Sequence, residues 1–322
     1  MAAVLAFAGW LASTAHATSV DAAAHQDGTL AVALGDGRVV VLEASPSTPA
    51  PAPILDLQGV VAIALDERSV VVATRWEPVV QRLARADSTR TSLSGPDGTI
   101  VDVDLADSGR VVVVAGASVA EITNPLALPG GDEAPSLGPG EAWWLPLDGE
   151  PVRVAGDGSQ ATAVAGDRTS GHGLLGMSSG AVIEVPSGRR VWHAGAAVEA
   201  LAYAVDGTWA VVAAGGVLQA FDLVGSLRWR VDGIPSRVRA MDISATGDVA
   251  LAGYEAAAWI RDTEVLTVSP LPSHHAAVHA HVTDETLVVV GTDGTTRAVG
   301  PDGALRWQRP PEPALNPHQP AR

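Results

Sequence analysis

Four histidines in one short stretch form the first group of residues whose spacing suggests chemistry. His279 and His281 alternate along a predicted strand, so their side chains point to the same side, as in zinc-binding H-x-H pairs. His274 and His275 lie just upstream in a predicted loop. Because the sequence places no carboxylate ligand beside them, we expect polar residues at the mouth of a channel. Metal binding by His274, His279 and His281 is the alternative.

Carboxylates alternate in a second stretch, at Asp102, Asp104 and Asp107, and Gly109 follows them. Carboxylates at alternating positions of a strand can hold Ca²⁺. Their spacing departs from the D-x-[DN]-x-[DN]-G pattern of calcium loops. We therefore expect acids that face an axis, followed by a turn, rather than a metal site. The sequence also predicts no cofactor.

One serine lies in a G-x-S-x-G motif, which in hydrolases exposes a nucleophile on a sharp strand-to-helix turn. The motif surrounds Ser178, between two β-type runs and with no helix after it. A hairpin turn therefore explains these residues better than catalysis. Since no other combination of residues completes a catalytic set, the sequence predicts a protein that is not an enzyme.

Two adjacent tryptophans, Trp143 and Trp144, follow an inserted segment at 124–140 that is rich in Pro and Gly and carries acid. Neighbouring residues of a strand point to opposite faces, so we expect one ring to pack inward and the other to be exposed. An exposed tryptophan beside a loop is a typical anchor for a protein partner. The alternative is that both rings pack under the segment.

The composition favours a protein partner over nucleic acid or a membrane. The 322-residue chain has a formal net charge of −16, and an acidic surface repels phosphate groups. Its N-terminal apolar run is too short to span a bilayer, so no integral membrane segment is predicted. Cysteine is absent, which excludes disulfides and thiolate chemistry. Aromatic residues make up only 4%, so Val, Ala and Leu must form the core.

The elements that must position these residues are short strands, which are clearest at 198–229. VEALAY alternates, Asp-Gly turns the chain, TWAVVAA is apolar, Gly-Gly turns it again, and VLQAFDL and SLRW follow. A Gly-x-x-x-Trp sequence closes such units at Trp192, Trp229 and Trp307. The period of about 40 residues is typical of propeller repeats. The units lie at 20–57, 60–93, 99–156, 161–192, 198–229, 238–268 and 278–307.

The sequence therefore predicts an all-β fold, a seven-bladed β-propeller of four-stranded antiparallel blades. One such sheet cannot bury both of its faces alone, so the units stack radially. His279 and His281 occupy the places of Ala240 and Asp242 on the innermost strand. Small residues recur on that strand, where the axis is crowded, at Ala62, Ala64, Ala200, Ala202 and Ala240.

These units resemble bacterial WD40-like and quinoprotein-like (PQQ-like) β-propellers over residues 18–309. The resemblance rests on the apolar first strand before Asp206 and Gly207, and on the Gly-x-x-x-Trp closings. It implies the propeller fold and no particular activity. The Gly-His and Trp-Asp dipeptides of typical WD40 repeats are absent. No constellation of carboxylate, Asn and paired Cys matches the quinoprotein cofactor site.

Residues 1–17 have two interpretations. An apolar run at 2–12 and an A-x-A pattern at 15–17 resemble a secretory signal, which favours a periplasmic or secreted protein. No Lys or Arg precedes Arg38, and the alternative is a cytoplasmic protein in which 3–10 form a closing strand. The propeller follows at 18–309, and the Pro-rich tail at 310–322 is predicted to be disordered.

The predicted function is that of a non-enzymatic scaffold that binds a protein partner or a ligand. Its expected surfaces are one rim of the disc, the mouth of the axial channel, and the segment next to Trp143 and Trp144. A cytoplasmic propeller subunit that works beside an ATPase or a signalling partner is one alternative. The other is an exported enzyme of the hydrolase or lyase type, with candidate residues Asp102, Asp104, Asp242, His279 and His281.

Overall fold

The computed structural model describes residues 19–25, 29–35, 37–43, 55–57, 59–74, 79–87, 89–93, 98–119, 137–235, 237–271, 276–283 and 285–310. Over these ranges the chain forms seven sheets, each of four antiparallel strands. The only helical element within them is a short 3₁₀ turn at Asp107–Gly109. No helix there is long and apolar enough to cross a membrane.

The strands of the first three blades follow the chain. Blade 1 has β1 (Ser19–Ala24), β2 (Thr29–Leu34), β3 (Arg38–Glu43) and β4 (Leu55–Asp56). Blade 2 has β5 (Val60–Leu65), β6 (Ser69–Thr74), β7 (Val80–Ala84) and β8 (Arg90–Leu93). Blade 3 has β9 (Thr99–Ala106), β10 (Val111–Val119), β11 (Leu137–Pro146) and β12 (Val152–Ala155).

The remaining four blades are built in the same way. Blade 4 has β13 (Ala161–Gly166), β14 (Gly173–Met177), β15 (Ala181–Val185) and β16 (Arg190–His193). Blade 5 has β17 (Val198–Tyr203), β18 (Trp209–Ala214), β19 (Val217–Asp222) and β20 (Leu227–Asp232). Blade 6 has β21 (Val238–Ile243), β22 (Val249–Gly253), β23 (Ala256–Arg261) and β24 (Glu264–Pro270). Blade 7 has β25 (Ala277–Thr283), β26 (Thr286–Gly291), β27 (Thr296–Val299) and β28 (Leu305–Arg309).

The first strand of each blade lies innermost. Inner strands of consecutive blades contact one another around the axis, from β1 and β5 through to β21 and β25. Contact between β25 and β1 closes the ring. The seven-bladed, four-stranded, all-β fold predicted from the repeats is therefore confirmed.

Glycine makes the tight turns between strands possible. Gly207, between β17 and β18, has φ +67°, and its amide donates to the carbonyl of Ala204 at 2.9 Å. Gly225, between β19 and β20, has φ +94°, and its amide donates to the carbonyl of Asp222 at 2.9 Å. Residues with a Cβ adopt these left-handed angles at a cost, so the recurrent Asp-Gly and Gly-x-x-x-Trp signals mark real turns.

The apolar core lies between the blades. Second strands such as β2 and β6 are buried at every residue, because a neighbouring blade covers each of their faces. Across the boundary between blades 4 and 5, Trp192 stacks on Phe221 with ring centroids 5.2 Å apart. Val, Ala and Leu supply most of the rest of the core, as the composition requires.

Every inner strand carries a β-bulge where it pairs with the second strand of its blade, which places one residue out of register. Because the bulge recurs at the same place in all seven inner strands, their residues can be aligned position by position. The residue after it, here termed the first axial position, is Asp21, Ala62, Asp102, Ala163, Ala200, Ala240 and His279 in blades 1 to 7. The second axial position, two residues on, is Ala23, Ala64, Asp104, Ala165, Ala202, Asp242 and His281.

Blade 3 departs from the sequence prediction at its second hairpin. β10 continues to Val119, and its pairing with β11 extends to Leu137. Residues 137–140 therefore belong to a strand, although the sequence predicts an irregular insertion over 124–140. Backbone hydrogen bonds to β10 override the local Pro and Gly content there. Residues 120–136 lie outside the described ranges, as do the N-terminal segment 1–18 and the tail from 311 onward.

Candidate binding site in the axial cavity

Inner strands of all seven blades line one cavity of about 240 Å³ on the propeller axis. Alanine occupies eight of the fourteen axial positions, which keeps the centre open. The other six positions are polar, and all six residues line the cavity. They are Asp21, Asp102 and His279 at the first axial position, and Asp104, Asp242 and His281 at the second.

The structure thus brings together the five axial residues that the sequence singles out as channel residues. Sequence reasoning misses Asp21, Arg168, Tyr203 and Arg239, which also line the cavity. Asp21 could have been found, because it occupies the same repeat position as Asp102. Arg168 lies in the loop between β13 and β14, where the repeat pattern carries no signal for it.

The carboxyls of blade 3 are bound to the backbone of blade 4. Asp102 Oδ2 accepts a hydrogen bond from the amide of Val164 at 2.9 Å. Asp104 Oδ2 accepts one from the amide of Gly166 at 2.9 Å. Their Oδ1 atoms accept from the amides of Val103 and Leu105. These carboxyls therefore join two blades.

Asp21 joins blades 1 and 2 in the same manner, since its Oδ2 accepts from the amide of Ile63 at 2.8 Å. Burial raises the pKa of Asp21 to about 7. Burial also raises the pKa of Asp102 to about 8, and the charges of Asp21 and Asp104 add to that increase. Removal from water disfavours the charged form of a carboxyl, and amide donors only partly offset this. The pKa of Asp104 is raised by burial as well.

Asp242 and His281 form a pair across blades 6 and 7, in which the imidazole Nδ1 contacts Oδ2 of the carboxylate. Burial opposes ionisation of Asp242, but the charge and hydrogen bond of His281 outweigh it and lower its pKa. This contact fixes the imidazole orientation and directs Nε2 of His281 away from the carboxylate.

His279 has no such partner. Burial lowers its pKa to about 4, so its imidazole is neutral at physiological pH. Nε2 of His279, Nε2 of His281 and the hydroxyl of Tyr203 are buried and make no hydrogen bond. Burial raises the pKa of Tyr203, with Asp167 and Glu184 adding to that rise.

Among the residues that the structure describes, no group of three His, Asp or Glu side chains is placed to hold a metal ion. His274 and His275 lie outside the described residues. Asp107, the third carboxylate of the proposed calcium stretch, lies in the 3₁₀ turn, and its amide donates to backbone carbonyls of the neighbouring loop.

The tryptophan pair differs from the expectation of one exposed ring. Trp143 keeps only 8% exposure and packs in the cluster between blades 2 and 3. Trp144 is partly buried against the cluster between blades 3 and 4, and its Nε1 donates to the carbonyl of Gly171 at 2.5 Å. The two rings do point to opposite faces, but a neighbouring blade covers each face. Partner binding by this pair stays a prediction.

Ser178 lies in the turn between β14 and β15, as expected for a hairpin rather than a nucleophile elbow. Its hydroxyl accepts a hydrogen bond from the amide of Gln160 at 3.1 Å. The neighbouring Ser179 hydroxyl donates to Asp157 at 2.5 Å. These bonds fix the turn against the loop before β13.

Comparison with solved structures identifies the fold. A computationally designed protein named Ika8 superposes with a TM-score of 0.63 at 17% identity, over 94% of this chain and 90% of its own. The WD40 β-propeller domain of Doa1 superposes with a TM-score of 0.64 at 12% identity, over 92% and 94%. The fold of this chain is that of a seven-bladed β-propeller, similar to the WD40 propeller domain above.

No protein-family model matches the chain, and no curated protein does. At the identities above, the structural likeness extends to the fold alone. Its function must therefore be inferred from its own surfaces.

Proposed function

We propose that this WD40-like propeller is a non-enzymatic scaffold that binds a protein partner through the outer edges of blades 5 to 7. The distribution of exposed apolar side chains carries the proposal. Of the large hydrophobic residues exposed in the described ranges, all but Val152 lie in these three blades. They are Val224, Leu227, Tyr254, Val265, Val268 and Leu305.

Three of these side chains occupy equivalent places. Leu227, Val265 and Leu305 each pair with the third strand of their blade just beyond a bulge in that pairing. They are 51%, 37% and 57% exposed. Because the blades are consecutive, these residues form a row along the perimeter, which we term the perimeter row.

The perimeter row ends at blade 4, where Arg190 takes the equivalent place. Three equivalent, exposed apolar side chains on consecutive blades offer repeated anchor points to a protein partner. The net charge of −16 favours a protein over a nucleic acid as the partner.

The axial cavity supports the non-enzymatic part of the proposal. Asp21, Asp102 and Asp104 each accept hydrogen bonds from the backbone of the next blade. Carboxyls engaged in this way stabilise the ring and are poorly suited to act as nucleophiles. The repeats also resemble those of bacterial quinoprotein-like propellers. The proposal therefore includes membership of that group, but not its cofactor chemistry.

The test replaces Leu227, Val265 and Leu305 together by serine and measures partner capture in the source cells by quantitative crosslinking and affinity purification. We expect the proteins captured by the wild-type chain to be lost. Val152→Ser, at 38% exposure in blade 3, is the matched control and should capture them as the wild type does. Equal capture by the triple variant, with an unchanged circular dichroism spectrum, would overturn the proposal.

A further inference from the structure

Blade 1 has the shortest fourth strand within the described ranges. Its β4 contains only Leu55–Asp56, whereas the fourth strands of the other blades have four to seven residues. β4 pairs with β3 at Arg38 and Val39. Beyond Val39, no described strand pairs with this side of β3. The outer edge of β3 is therefore open over residues 40–43.

The backbone groups of Val41 point toward this open edge. The amide of Leu57 donates to the carbonyl of Gly37 at 2.7 Å, so Gly37 directs its backbone groups toward the fourth strand. Direction alternates along an antiparallel strand, so Val39 and Val41 direct theirs the same way. Val41 lies opposite Ala31 of β2, but its N–H and C=O point away from β2. Both groups are thus available to an added strand.

The sequence explains why β4 is so short. In the register of β4, residue 53 would lie opposite Val41 and residue 51 opposite Glu43, and both residues are proline. Pro51 and Pro53 have no N–H, so neither can donate to the carbonyl opposite. The chain's own fourth strand therefore cannot continue along β3 with its hydrogen bonds intact.

Blade 5 shows what completes such an edge. The amide of Gly233 donates to the carbonyl of Gly216 at 3.1 Å, which sets the same register as in blade 1. In that register Ala220 takes the place of Val41, and its partner is Trp229. Trp229 packs against the core cluster between blades 5 and 6. Val41 is only partly buried against the equivalent cluster between blades 1 and 2, so a large apolar side chain opposite it would complete the cover.

We propose that the outer edge of β3 binds an extended segment of a partner protein. The segment adds to blade 1 as its outer strand and places a large apolar residue opposite Val41. In this mode of recognition, backbone hydrogen bonds provide affinity and side-chain contacts provide specificity. The net charge of −16 favours a segment with basic residues beside the apolar one, and it disfavours a second copy of this chain.

The test measures fluorescence anisotropy of a labelled, end-capped peptide, SLRWRV, which is the sequence of residues 226–231 and has arginines beside the tryptophan. We expect saturable binding to the full chain at one site. A peptide with N-methyltryptophan keeps the side chain but loses the N–H that donates to the carbonyl of Val41. Its affinity should be at least about threefold lower. The acidic analogue SLEWEV should also bind more weakly, because both basic charges are reversed.

Variants of the chain locate the site. Pro53→Val restores a donor opposite Val41, so the chain's own segment can compete for the edge. Peptide affinity should fall at least about tenfold, because an attached competitor has a high effective concentration. Pro49→Val is the matched control and should bind as the wild type does, since residue 49 lies beyond Glu43, where β3 ends. Val41→Pro removes the outward N–H but no bond to β2, and it should weaken binding too.

Three results would overturn the proposal. They are no saturable binding of SLRWRV, equal affinity for either modified peptide, and undiminished binding by Pro53→Val. All of these measurements use a defined peptide and substitutions in blade 1. Their failure would therefore leave the perimeter row of blades 5 to 7 untouched.

Discussion

Residues that depart from the repeat pattern have opposite character on the inner and the outer strands of the blades. At the axis most positions are alanine, and five of the six polar exceptions hydrogen-bond to a neighbouring blade. At the perimeter of blades 5 to 7 the exceptions are apolar and remain exposed. The repeat is the same in both places, so the difference comes from what surrounds each strand.

Geometry explains the contrast. Inner strands of adjacent blades lie in contact around the axis, whereas the blades diverge toward the perimeter. A polar group near the axis can therefore reach a backbone amide of the next blade, as Asp102 reaches Val164. An apolar group at the perimeter, such as Leu227, stays 51% exposed. Inner exceptions thus serve ring stability, and outer exceptions remain accessible to a partner.

The largest expected effect on stability comes from a substitution where the backbones of two adjacent blades approach closely. A Cβ on Gly166 of β13 would lie 2.2 Å from the carbonyl oxygen of Leu105 in blade 3. Because that neighbour is backbone, it cannot move aside without shifting β9. We expect Gly166→Ala to lower the free energy of unfolding by at least about 3 kcal/mol, measured by urea denaturation.

Gly171→Ala is the matched control for this change. A Cβ there would meet only side-chain atoms, of Trp144 at 3.6 Å and Val111 at 3.7 Å, which are ordinary contacts. We expect a change below about 1 kcal/mol. If both variants change the free energy of unfolding by similarly small amounts, the inner strands of adjacent blades are not packed as closely as the comparison of axis and perimeter assumes.

The sequence predicts the repeat and the fold because turns and alternation are local signals. VEALAY before Asp-Gly and TWAVVAA after it define a hairpin without reference to other blades. Register is not local. The bulge that aligns Asp21 with Asp102 and His279 appears only when each inner strand is paired with the second strand of its blade.

The tryptophan pair shows the same limit. Alternation along a strand correctly predicts that Trp143 and Trp144 point to opposite faces. It cannot predict that both faces of β11 are covered, because blades 2 and 4 supply that cover from distant parts of the chain. The metal hypotheses depend likewise on side-chain convergence. The sequence alone does not show that backbone amides of blade 4 donate hydrogen bonds to Asp102 and Asp104.

A second prediction concerns the acids of the inner strands. Aspartate in an unfolded chain has a pKa of about 3.9, whereas burial raises the pKa of Asp21 to about 7 and of Asp102 to about 8. The folded state therefore binds more protons, and stability falls as pH rises through these values. We expect each carboxyl to lower stability by up to about 1.4 kcal/mol per pH unit between about pH 5 and its folded-state pKa, with no further loss above that pKa.

His279 has the opposite dependence, because burial lowers its pKa to about 4 from about 6.5 in an unfolded chain, so its contribution raises stability up to about pH 6.5. The loss from Asp102 is therefore measured between about pH 7 and about pH 8, above the titration of His279. Urea denaturation at several pH values should show a shallower slope for Asp102→Asn. Asp232→Asn, whose exposed carboxyl has its pKa lowered by Arg230 on the outer strand, should keep the wild-type slope. Parallel slopes for the wild type and Asp102→Asn would contradict the burial argument.

The smallest expected effect lies on the perimeter row. Leu227 and Leu305 are 51% and 57% exposed, so truncation removes little buried area. We expect Leu227→Ala and Leu305→Ala each to change the free energy of unfolding of the isolated chain by less than about 0.5 kcal/mol, measured by urea denaturation. A loss above about 1 kcal/mol would mean that these side chains already pack within the chain. The perimeter residues would then be held by intramolecular contacts, as the axial residues are.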